Sequence, residues 1–108
     1  MSYSNQLIER LEEIQRLVAL YYKLDVEELL SPSRPNRLAH PRMLAMYLVR
    51  RESDLSLMEI GQRFGGRNHG TVIHACRRIE ETIKNKPELT ETISKILAGE
   101  DPDQLKLF

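Results

Sequence analysis

SLMEIGQRFGGRNHGTVIHACRRI, residues 56–79, is the stretch of this 108-residue chain that decides its fold. Ser56 followed by Glu59 has the spacing of a reciprocal capping box, which starts a helix. Gly65-Gly66 then predicts a helix end, because glycine adopts the left-handed backbone required there. Asn68 is a favourable N-cap for a second helix, whose apolar residues keep a 4-3-4 spacing at Val72, Cys76, Ile79 and Ile83. Two helices joined by a glycine turn predict a helix-turn-helix over residues 56–83.

The residues of this stretch also carry a family resemblance. EIGQRF followed by GGRNHGTVIHA closely resembles the signature of the C-terminal DNA-binding domain of the bacterial replication initiator DnaA. Upstream, IQRLVALYYKLDVEELLS and HPRMLAMYLVRR are also similar to that domain, so the resemblance runs from about Ile14 to Ile83. It implies an all-α fold, a bundle of about six helices related to the Trp-repressor type. It also implies binding of duplex DNA, linked to replication initiation or its regulation.

The resemblance assigns DNA-contacting roles residue by residue. Base reading falls to Arg34, from a loop in the minor groove, and to Asn68, His69, Gly70 and Thr71 in the major groove. Contacts with the phosphate backbone fall to Arg37, Arg42, Arg50, Ser56, Leu57 and Arg67. In a helix-turn-helix the second helix lies in the major groove, and contacts with phosphates set its register.

Two base-reading positions depart from the family pattern. Asn68 replaces the usual aspartate, an acceptor-only group suited to the amino group of cytosine, whereas asparagine pairs best with adenine. Gly70 replaces a threonine whose methyl group could contact thymine, and Met58 stands where the family usually has proline. We therefore expect duplex DNA binding with a changed or relaxed base preference relative to the family's nine-base-pair box.

The charge distribution agrees with a DNA-binding face. The net charge is zero, but residues 31–86 hold eleven Lys/Arg against five Asp/Glu, and both flanking segments are acidic. A single cysteine, Cys76, excludes an internal disulfide and favours a reducing cytoplasm, where a DNA-binding protein associates with the nucleoid. We expect no membrane span, bound nucleotide, cofactor or metal site, and no enzyme activity. No G-x-x-x-x-G-K-[ST] phosphate loop occurs, so a stand-alone domain without the initiator's ATPase module is expected.

The remaining segments predict further helices around the helix-turn-helix. Residues 5–23 have an amphipathic pattern, Asp25 with Glu28 caps a short helix through Leu30, and the Pro-rich residues 31–37 predict a loop. Pro41 is suited to the first position of a helix running to about Glu52, with Arg42 in its first turn. A last helix is expected over residues 88–98. Residues 1–99 then form one domain, and residues 100–108 a flexible tail.

Two alternative functions follow from other features. The last five residues, Gln104, Leu105, Lys106, Leu107 and Phe108, resemble the peptide by which replication proteins bind the sliding clamp. An interaction module that recruits the clamp through this peptide is one alternative. The other is a dimeric transcription regulator of the Trp-repressor type, for which the apolar stripe of residues 7–21 could supply the dimer interface.

Overall fold

The computed structural model describes residues 5–32 and 35–102, and these form six helices with no strand among them. The helices are α1 (Asn5–Tyr22), α2 (Val26–Leu30), α3 (Asn36–Glu52), α4 (Leu57–Gln62), α5 (His69–Asn85) and α6 (Leu89–Leu97). The predicted all-α fold with a helix-turn-helix is therefore confirmed. Arg34 and the predicted clamp-binding residues 104–108 lie outside the described residues. None of the described helices has the length and apolar character needed to cross a bilayer.

The core is built around α3, which packs against α1 on one side and α5 on the other. Its side chains Leu44, Ala45, Leu48 and Val49 are completely buried. On α1, Leu11, Ile14 and Val18 are also buried in this core. Much of the stripe of residues 7–21 thus packs within the chain, and the dimer considered from the sequence stays a prediction.

The sequence predicted that this helix starts at Pro41. Helix α3 in fact begins five residues earlier, at Asn36. Pro35 is the N-cap, with an extended backbone (φ −67°, ψ 148°), and Pro41 lies inside the helix. Proline lacks the N–H that would bond to the carbonyl of Arg37, so only one hydrogen bond of the helix is lost. The extra first turn is anchored because Leu38 is buried, with 2% of its surface exposed. Arg37 consequently belongs to the first turn of α3 and not to a loop.

The turn between α4 and α5 has the geometry that its glycines predict. Gly65 and Gly66 both have φ of +78°, which glycine tolerates without steric cost. Gly61 allows a close approach of backbones, since a Cβ there would lie 2.1 Å from the carbonyl oxygen of Arg67. The Arg67 N–H donates to the carbonyl of Gly61 at 2.8 Å. These contacts fix the angle at which α5 leaves the turn.

Candidate nucleic-acid interface

The N-terminal turn of α5 presents four of the predicted base-reading residues together. Asn68, His69, Gly70 and Thr71 are consecutive and all exposed. Asn68 is the N-cap, with φ −79° and ψ 166°, as the sequence predicted. Because the rest of α5 packs through Val72, Ala75 and Ile79, this turn is held rigidly on the core while its outer surface stays accessible. No described feature tests the base contacts themselves, which stay predictions.

The side chains of Asn68 and Thr71 are joined. Oδ1 of Asn68 accepts the backbone N–H of Thr71 at 2.9 Å and its Oγ1–H at 3.2 Å. A carbonyl oxygen has two lone pairs, so both acceptor positions of this amide are occupied inside the protein. A Cβ added at the neighbouring Gly70 would lie 3.3 Å from Oδ1 of Asn68, which is a close contact.

The predicted phosphate contact of Arg42 requires a position on an exposed helix end, and the structure does not place Arg42 there. It is 6% exposed, and its Nε donates to the carbonyl of Leu29 at 2.8 Å while Nη2 donates to that of Glu28 at 2.9 Å. These carbonyls lie in the last turn of α2, where carbonyls have no partner within the helix, and that of Glu28 also accepts from Ser31 just after it. The earlier start of α3 explains the difference, because it places Arg42 in the second turn, facing α2. This geometry gives Arg42 the role of holding α2 against α3.

Arg67 makes similar contacts from the turn before α5. Its Nη1 donates to the carbonyl of Phe64 at 2.5 Å and its Nη2 to that of Ser31 at 2.8 Å. The half-buried guanidinium therefore connects the turn to the segment that follows α2. Its predicted phosphate contact stays a prediction. The two hydrogen bonds of Arg67 hold this segment at a fixed distance from the N-terminus of α5.

Arg37, a predicted phosphate contact, forms an ion pair within the protein. Its guanidinium pairs with the carboxylate of Glu28, which also accepts the backbone N–H of Asp25 at 3.0 Å. The N–H of Asp25 and then Arg37 hold the pKa of the Glu28 carboxyl below its usual range. The side chain of Arg37 is 62% exposed, so solvent screens this ion pair and weakens it. A phosphate can therefore compete for Arg37.

Arg50 and Arg77 are exposed and make no ion pair or hydrogen bond within the described part of the chain. They line one groove between α3 and α5, together with Leu57 in the first turn of α4. Arg51 lies on the same groove, but its Nε pairs with Oε2 of Glu52 at 3.1 Å. Its guanidinium carbon also lies over the ring of Tyr47, 5.8 Å from the ring centroid. Two guanidiniums that have no ion-pair or hydrogen-bond partner among the described residues thus lie beside the N-terminus of α4.

Arg77 was not among the residues selected from the sequence. The feature that could have identified it is its position one residue after Cys76, at the edge of the apolar stripe of α5. Cys76 itself is half-buried in the same groove, where burial raises the pKa of its thiol. Glu80 is the acidic residue of this groove, one turn beyond Cys76.

The predicted contacts at Ser56 and Leu57 fall at the start of α4. Oγ of Ser56 accepts the N–H of Glu59 at 3.0 Å, as an N-cap does, and Leu57 borders the groove of Arg50 and Arg77. Among residues 5–32 and 35–102, no group of three or more His, Cys, Asp or Glu side chains comes together that could hold a metal ion.

Comparisons with known proteins agree with this geometry. The family model described as the bacterial dnaA protein helix-turn-helix matches residues 11–79. The chain is also similar to the chromosomal replication initiator protein DnaA of Methylacidiphilum infernorum (isolate V4), with 46% identity over 86 residues. That match covers 80% of this chain but 19% of the relative, so the chain spans about a fifth of the length of the curated relative it matches.

Proposed function

Because the chain belongs to the bacterial DnaA helix-turn-helix family, we propose that it binds duplex DNA through α5, in a role tied to replication initiation or its regulation. In this proposal the N-terminal turn of α5 enters the major groove and the start of α4 lies on the backbone. The chain acts as a binding module, and binding to chromosomal DNA places it on the nucleoid.

The observation that carries the proposal is the pair of guanidiniums of Arg50 and Arg77, which form no ion pair or hydrogen bond with any residue that the structure describes. They lie on one groove, on the two helices that flank the start of α4. An exposed arginine with no carboxylate partner is available for phosphate oxygens, which it can bind with two parallel hydrogen bonds. Two such residues on different helices can bind the backbone on one side of the groove that receives α5. Contacts of this kind position a protein on DNA and make its affinity depend on salt.

The experiment is a titration of fluorescently labelled duplexes by anisotropy at several salt concentrations. One duplex carries the nine-base-pair box of the DnaA family and the other a scrambled sequence. We expect binding whose affinity falls with salt, and a slope that becomes shallower by about one for each phosphate-contacting arginine removed. Arg50→Gln and Arg77→Gln should each weaken binding to both duplexes.

Arg16→Gln is the matched control, because Arg16 is also exposed and has no ion pair within the described residues, but lies on α1. Its substitution should leave both the affinity and the salt slope unchanged. Equal losses for all three variants would mean that only the overall charge matters, and the assignment of Arg50 and Arg77 would be refuted. No binding to either duplex at low salt would refute the proposed function.

For the C-terminal peptide we propose a separate role, binding of the sliding clamp by Gln104, Leu105, Leu107 and Phe108. Its support is the sequence motif alone, whose apolar side chains suit a pocket on a partner. Titration of purified clamp with the full chain, and with a chain that ends at residue 103, tests it. Equal affinities of the two chains would refute this role without affecting the DNA proposal.

A further inference from the structure

The hydrogen bonds of Asn68 determine what its side chain can offer to a base, which refines the proposed function and rests on it. We propose that Asn68 acts on DNA as a donor only, and that it selects guanine at one position of the site. The sequence alone predicts adenine, the usual partner of asparagine, because an amide can donate and accept at once. In this protein the accepting half of the amide is already occupied.

The occupied half is Oδ1, which receives two hydrogen bonds from Thr71. The backbone N–H at 2.9 Å fixes the orientation of the amide, because this donor must face an oxygen and not the NH2 group. The Oγ1–H of Thr71 adds the second bond at 3.2 Å. The Nδ2 group has no hydrogen-bond partner within the described residues, and Asn68 is exposed. Two N–H donors therefore remain for a ligand outside the protein.

The four bases differ in how many hydrogen-bond acceptors they present to a donor in the major groove. Guanine presents two acceptors, N7 and O6, and one NH2 group can satisfy both. Adenine presents N7 beside an amino group, which would find no acceptor on Asn68. Thymine presents one acceptor, and cytosine presents only an amino donor. Guanine is therefore the one base whose major-groove edge provides two acceptors for this side chain.

Asn68→Asp provides a control of the same shape and opposite chemistry. Aspartate is an equally good N-cap, so one carboxylate oxygen can keep the bond from the Thr71 N–H. The other oxygen then replaces Nδ2 and can only accept, which suits the amino group of cytosine. The substitution should therefore change the preferred base pair from G·C to C·G at one position of the site.

The test is selection of binding sites from a library of random duplexes, performed with the wild-type chain and with Asn68→Asp. Titration of the four duplexes that differ at the position where the selections diverge then gives the affinities. Thermal unfolding followed by circular dichroism confirms that both chains are folded. For the wild type we expect guanine to be preferred there by about tenfold over cytosine, and for Asn68→Asp the reverse order.

Identical preferences of the two chains at every position would overturn the inference, as would a wild-type preference for adenine, thymine or cytosine at the divergent position. In both cases salt-dependent binding would persist, so the proposed function would stand. If neither chain binds any duplex at low salt, the proposed function fails and the inference fails with it.

Discussion

Replacing Arg42 with methionine separates a structural role for this residue from a role on phosphate. Methionine is unbranched and fills an irregular space, but it cannot donate to the carbonyls of Glu28 and Leu29. A hydrogen bond to a charged group contributes about 1.5–3 kcal/mol, and the substitution removes at least these two. Removing the buried charge offsets part of this loss. We therefore expect the free energy of unfolding to fall by about 2–3 kcal/mol, a large share of the 5–15 kcal/mol of a typical domain.

Urea denaturation followed by circular dichroism measures this change, and the melting temperature should fall by about 10 °C or more. The control is Arg50→Met, which should change stability by no more than about 0.5 kcal/mol, because Arg50 is exposed and has no partner among the described residues. The reasoning is refuted if Arg42→Met has the unfolding free energy of the wild type while the salt dependence of its DNA affinity becomes shallower by about one phosphate contact. Arg42 would then be the phosphate contact that the family resemblance implies.

Three further predictions concern the turn, pH and the thiol. Gly61→Ala should destabilise the chain by more than about 3 kcal/mol in urea titrations, because its Cβ would lie 2.1 Å from the Arg67 carbonyl oxygen; Gly66→Ala, with φ +78° but open space, should cost about 1–2 kcal/mol. Burial lowers the pKa of His40 below its ordinary 6.5, so stability present above pH 6.5 should be lost as the pH falls through the folded pKa. In His40→Gln the unfolding free energy should therefore depend less on pH between pH 7 and 5. Burial also raises the pKa of Cys76, so iodoacetamide should modify it more slowly at pH 8 in the native chain than in urea.

The parts of this fold that the sequence predicts are those with local causes. The caps at Asp25, Ser56 and Asn68 and the stop at Gly65-Gly66 each depend on contacts within a few residues. A capping side chain satisfies N–H groups three residues away, and a glycine accepts a positive φ whatever surrounds it. These features therefore appear in the structure where the spacing of the residues predicts them.

The start of α3 and the role of Arg42 depend on contacts between distant segments. Proline is favourable in the first turn of a helix, so the sequence prefers a start at Pro41. The structure begins the helix at Asn36 because burial of Leu38 stabilises an additional turn. That additional turn places the guanidinium of Arg42 against the end of α2, thirteen residues earlier in the chain. No local pattern contains this information.

Several of the positive charges in residues 31–86 are already engaged in contacts within the protein. Arg42 and Arg67 use their donors on carbonyls at and just after the end of α2, where the negative end of the helix dipole favours a cation. Arg37, like Arg51, is paired with a carboxylate. The charges of Arg42 and Arg67 still contribute to the long-range field around the protein, because pairing with a neutral carbonyl leaves the charge in place. In the proposed complex we expect direct contact first at guanidiniums such as Arg50, since binding a phosphate there breaks no existing bond among the described residues. Composition therefore indicates the kind of ligand, and the fold determines which arginines can reach it.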